Sequence, residues 1–138
     1  MSKVLEEGSA ITIDWSKLKK VAEGNPDVVP VAVQDHDTQE LLLVAYANEQ
    51  ALNHSLKTGN ATFWSTSRHE LWEKGATSGE TFELLEVRVN CEQNSLLYTV
   101  RPRRSGMCHT KNTQGIPRSG CYYRSLNFDT GALENLDP

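Results

Sequence analysis

The chain has no acidic residue between Gln93 and Phe128, no two cysteines in a CxxC spacing, and no uninterrupted apolar run longer than LLLVAYA at 41–47. Each absence excludes something. A run that short is far below the roughly 20 residues of a membrane-spanning helix, so no membrane partner is expected. The cysteines, Cys91, Cys108 and Cys121, are odd in number. Residues 1–8 (MSKVLEEG) have neither the basic flank nor the apolar core of a signal peptide. A disulfide framework is therefore not expected, and a cytoplasmic location is. Repeats and low-complexity stretches are also lacking, which leaves 1–138 as a single globular domain.

What the chain does hold is unevenly placed. The formal charge is −4 and the pI near 5.5, which argues against a nucleic-acid partner. Yet Arg101, Arg103, Arg104, Lys111, Arg118 and Arg124 all fall in the acid-free segment, giving it +6. Interleaved with two of the cysteines, that segment reads as a pocket for an anionic small molecule such as a sugar phosphate. Taken singly, Arg103 or Arg104 reads better as solvated surface. The cysteines sit among polar or basic residues, and His109 follows Cys108 directly. Three thiolates leave one position of a tetrahedral zinc open for water, as a hydrolytic site requires. From spacing alone, three unrelated buried thiols remain an equal alternative.

Periodicity predicts an α+β fold, mostly β-sheet with two short helices in the N-terminal half. Asp14 is placed to cap a first helix on which Trp15, Leu18, Val21 and Ala22 share a face, closed by Gly24. Residues 28–33 and 41–47 read as a hairpin, with the first strand at an edge because Pro30 cannot donate to a ladder. Asn48 caps a second helix at 49–58, with Leu52 and Leu56 on one face and Gly59 at its end. The most regular strand is 81–91, where Leu85, Val87, Val89 and Cys91 oppose Glu86, Arg88 and Asn90. Asn90, Glu92 and Asn94 present oxygens at alternating positions near a turn, which suits magnesium. A plain hairpin turn accounts for the asparagines equally well.

The segments WSTSR (64–68), LWEKGATSG (71–79), NCEQNSLL (90–97), CHT (108–110) and CYYR (121–124) resemble the phosphoribosyl-AMP cyclohydrolase family. Upstream, VAVQD (31–35), LLLVAYANEQAL (41–52) and LKTGNATFWS (56–65) match as well, in the family's order. The resemblance implies an α+β homodimer whose zinc is held by Cys91, Cys108 and Cys121, not all from one subunit. It implies hydrolytic opening of the adenine ring of 1-(5-phosphoribosyl)-AMP between N1 and C6, a step of histidine biosynthesis. His109 then becomes the proton carrier beside the metal. Trp64, Ser65, Arg68, Trp72, Lys74, Thr77, Ser78, Gly79 and Arg124 fall in the stretches that contact substrate, although both tryptophans read first as core. His36, His54 and His69 match no ligand position and are read as surface.

Three departures from the family's pattern stand out. Asn90, Glu92 and Asn94 occupy positions usually taken by aspartates, so the magnesium-type site is doubtful. Ala76 replaces a glutamate in KGATSG. Twelve residues separate Cys108 from Cys121 where the family usually has six, and the basic loop 111–118 they contain offers charge for substrate phosphates. The expectation is a zinc-dependent cyclohydrolase. Its rivals are a paralogue hydrolysing another phosphorylated purine or amidine ring, and a noncatalytic zinc-stabilised dimer that binds a nucleotide.

Overall fold

The computed structural model describes residues 3–74, 81–103 and 108–138. Its elements are α1 (Lys3–Glu7), α2 (Lys17–Gly24), β1 (Val29–Asp35), β2 (Leu41–Ala47), α3 (Glu49–Thr58), β3 (Thr62–Ser65), β4 (Glu70–Glu73), β5 (Phe82–Val89), β6 (Leu96–Pro102), β7 (Arg124–Leu126) and β8 (Leu133–Asn135). The fold is α+β and sheet-dominated, as the periodicity predicts, with α1 as a third short helix. Among the described residues no helix is long and apolar enough to cross a membrane.

Two hairpins make the central sheet. β1 and β2 pair antiparallel, β5 and β6 pair antiparallel, and β1 and β6 run parallel, giving the order β2-β1-β6-β5. The first hairpin turns on Asp35, whose Oδ1 accepts the backbone N–H groups of Asp37 and Thr38 at 2.8 and 3.0 Å. Val31, Val33, Leu42, Leu43, Phe82, Tyr98 and Val100 from this sheet are buried together with Ala51 of α3 and Phe63 of β3. Asn48 caps α3 as expected, its side chain accepting the Ala51 N–H, and Gly59 closes the helix at φ +74°, where a side chain would be strained.

Packing overrides several local readings. β1 is an interior strand, not an edge. Pro30 is accommodated because pairing with β6 begins only at Val31, so its missing N–H costs the ladder nothing there. In β5 a register shift between Leu84 and Glu86 turns Leu85 outward. Leu84 takes the core-packing position that strict alternation gives to Leu85. α3 buries Ala51 and Ser55, leaving Leu56 61% exposed, and α2 buries only Val21 while Trp15 and Leu18 remain outside. The residue before α2 that acts as its N-cap is Ser16; Asp14 supports it by accepting both its N–H and its hydroxyl.

Candidate metal centre and substrate groove

Residues 108–118 fold back on themselves. The Cys108 N–H donates to the Arg118 carbonyl, the Arg118 N–H donates to the Thr110 carbonyl, and Lys111 bridges to Pro117. Asn112 closes the tip, its Oδ1 accepting the N–H groups of Gln114 and Ile116 at 3.0 Å. A wide sequence interval therefore becomes a short distance. Gly120 then lies against β2, where a Cβ would meet the Leu42 carbonyl oxygen at 2.9 Å, and the Cys121 N–H donates to that same oxygen at 2.7 Å. Only glycine permits so close an approach. The result sets the Cys121 thiol next to buried Cys108.

Desolvation first, and the adjacent Cys108 thiol second, push the Cys121 thiol up to about 12. Two side-by-side sulfurs lose their protons together only when a cation takes up the charge, and a zinc ion does so outright. On that chemistry Cys108 and Cys121 fit half of a thiolate zinc site. The Cys108 sulfur also lies 2.9 Å from the Thr110 hydroxyl.

Cys91 is elsewhere. It follows β5, at the sheet edge opposite β2, and three strand spacings across the order β2-β1-β6-β5 amount to about 14 Å. Zinc–sulfur bonds are about 2.3 Å, far shorter than that separation. Consistently, no cluster of three His, Cys, Asp or Glu able to hold a metal occurs among the described residues.

His109 is 72% exposed at its side chain, and its Nε2–H donates to Glu6 Oε2. A groove of about 330 Å³ runs along the β2 side of the sheet, lined by β2 from Leu43 to Tyr46 and by Phe63, Trp64, Ser65, Arg68 and Trp72. Four predicted substrate residues thus share one concavity, on the same strand that seats Cys121. Both tryptophans also serve the fold: the Trp64 indole N–H donates to Asn25 Oδ1 at 2.9 Å, and Trp72 packs on Phe63 with ring centroids 5.4 Å apart. Lys74 directly follows β4. Thr77, Ser78, Gly79, Ala76 and Arg104 lie outside the described residues.

A family model described as phosphoribosyl-AMP cyclohydrolase matches residues 43–123, which hold the groove, all three cysteines and His109. The phosphoribosyl-AMP cyclohydrolase of Archaeoglobus fulgidus is 44% identical over 102 residues, 74% of this chain and 88% of that protein. That of Halobacterium salinarum is 41% identical over 111 residues, 80% of this chain and 81% of that protein. The chain belongs to the phosphoribosyl-AMP cyclohydrolase family. A histidine biosynthesis bifunctional protein of Aquifex aeolicus is 39% identical over 110 residues, 80% of this chain and 49% of that protein.

Within this family chain, the Asn90–Glu92–Asn94 group is closed on itself. Asn90 Oδ1 accepts the N–H groups of Asn94 and Ser95 at 2.9 Å, Asn90 Nδ2 donates to Asn94 Oδ1 at 2.6 Å, and Asn94 Nδ2 donates to Glu92 at 3.3 Å. The amide donors occupy the space among the oxygens that a cation would need. Among the described residues of the basic segment, the arginines are paired internally while Lys111 is exposed. Arg101 is paired with Asp37 through two bonds of 3.0 Å, Arg103 bonds Asn60 and Thr81, and Arg118 is buried against Glu7. Arg124 spends both terminal nitrogens on the Gly8 and Leu5 carbonyls. Arg118, expected to offer charge to phosphates, is thus committed to an internal partner, as are Arg101, Arg103 and Arg124.

Sequence reasoning missed Glu6 and Glu7. Both come from α1, which is tied down further by the Tyr123 hydroxyl on the Glu6 carbonyl at 2.7 Å and by the Leu133 N–H on the Ser9 carbonyl. The one available signal was two adjacent acids in a chain whose second half is rich in arginine.

Proposed function

We propose that the protein is a zinc-dependent phosphoribosyl-AMP cyclohydrolase acting in histidine biosynthesis in the cytoplasm, as a homodimer. The observation that carries this reading is the Cys108–Cys121 pair beside His109, with Cys91 stranded at the far sheet edge where a second copy can use it. The relatives named above, at about 40% identity, support the reaction. Cys108 and Cys121 of one copy and the equivalent of Cys91 from another would hold the zinc, which when bound supplies a Lewis acid with an open position.

The chain's own residues supply the rest. The groove takes the purine against Trp64 and Trp72, while Ser65 and Arg68 offer donors to phosphate or ribose. Hydrolysis joins a water oxygen to C6 as the N1–C6 bond breaks; the oxygen becomes that of the carboxamide, and N1 leaves with a proton. With Nε2–H directed at Glu6, Nδ1 of His109 carries the lone pair that can take the water's proton and return it to N1. Purified zinc-loaded protein is expected to turn over phosphoribosyl-AMP, followed optically. No turnover despite full zinc occupancy would sink the substrate assignment and favour a related ring or a binding-only dimer.

Magnesium should matter little. Because amide donors already satisfy the oxygens of Asn90, Glu92 and Asn94, wild-type activity is expected to change less than about twofold across a magnesium titration after chelation that spares zinc. In an Asn90→Asp, Asn94→Asp variant three carboxylates converge, and a dependence of about tenfold or more is expected. A steep requirement in the wild type would refute this account of the turn.

A further inference from the structure

Arg118 is the most buried charged side chain of the described residues, at 2% exposure, and it belongs to the enlarged interval between two zinc cysteines. Its guanidinium is fully employed. Nη1 and Nη2 grip the two Glu7 oxygens at 2.6 and 2.9 Å, Nε donates to the Asp137 carbonyl at 3.0 Å, and the group lies 4.1 Å over the Tyr123 ring. Nη1 also donates to Thr110 Oγ1 at 3.1 Å. Since that oxygen accepts from a cation, its own proton is free to point at the Cys108 sulfur, 2.9 Å away. One chain of contacts therefore runs from a carboxylate in α1 to a candidate metal ligand. Both of its outer anchors, Glu7 and Asp137, lie beyond the 43–123 region that matches the family.

We infer that Glu7, acting through Arg118 and Thr110, is a positioning residue for the Cys108 sulfur, so that α1 is a working part of the metal centre. This rests on the zinc reading given above. Two physical effects combine. The two-pronged carboxylate holds the guanidinium in one plane, which a single-point contact would not do. The held guanidinium polarises the Thr110 hydroxyl toward sulfur, and groups that hydrogen-bond a metal's ligands set its affinity; losing one typically costs tenfold to a hundredfold. The Glu7 carboxyl is itself held below its ordinary range, chiefly by its hydrogen bond to Arg118, and so remains the charged partner.

The test measures zinc affinity by competition with a chromogenic chelator, together with melting of the metal-free protein, for full-length wild type, Glu7→Gln and Thr110→Val. Both variants are expected to raise the zinc dissociation constant at least about tenfold. Thr110→Val should do so with a metal-free melting temperature close to wild type, which separates the sulfur contact from general stability. Should Glu7→Gln fail to fold, Thr110→Val decides alone. Wild-type zinc affinity in both variants, even with Glu7→Gln melting lower, would overturn the inference and leave a stabilising ion pair. A wild type that binds no more zinc than Cys108→Ser would instead remove the metal reading, and this inference with it.

Discussion

A Cys108→Ser variant is expected to lose its zinc and at least about a thousandfold of its activity, yet to recover activity when mixed with an equally inactive Cys91→Ser variant. The reasoning is geometric. Cys121 is seated on β2 and Cys91 follows β5, strands at opposite edges of the sheet, so the proposed metal site would draw on two copies. In a mixed dimer one site inherits both serines and the other inherits neither. Random pairing makes half of the dimers mixed, so about a quarter of wild-type sites should return. Zinc analysis and activity after unfolding and refolding the two variants together measure this. If mixed dimers form and stay inactive, the shared site is wrong. A folded, fully active monomer on sedimentation would be equally fatal to it.

His109→Ala is expected to lower turnover at least about a hundredfold while zinc content stays unchanged, the loss usual for a general acid or base. Glu6 holds one imidazole nitrogen, so the ring keeps a fixed orientation although it is largely exposed. Elemental analysis beside steady-state kinetics separates the roles. Loss of zinc together with activity would make His109 a ligand or a support and not a proton carrier.

Much of this was legible in the sequence because it depends on near neighbours. The Asn48 cap, the Gly59 stop and the β1–β2 hairpin are short-range features, and each stands where its residues predict. The groove was readable in part: Trp64, Ser65 and Arg68 lie within five positions along β3 and its turn, and Trp72 joins them because β4 pairs back on β3. What was hidden depends on distance along the chain. Pro30 suggests an edge until a strand some 65 residues later pairs beside Val31. Arg118 reads as a phosphate ligand until Glu7, 111 positions away, neutralises it. A bulge of one residue at Leu85 leaves no compositional trace, since Leu84 and Leu85 are both leucine and either could fill the core position.

The parallel seam between β1 and β6 has a consequence for how the molecule assembles itself. Each hairpin closes over a short turn and can form early, but joining them requires Val31 to find Leu96 across nearly half of the chain, a contact of high loop-closure cost. The sheet is thus two local units that dock late. The unit containing β2 receives Cys121, and the unit containing β5 carries Cys91 just past its end. On the shared-site proposal these two units serve different ions, so docking them within one chain completes no ligand set. A lone chain would then offer a metal no three-thiol set, and zinc would be captured only where two folded copies meet.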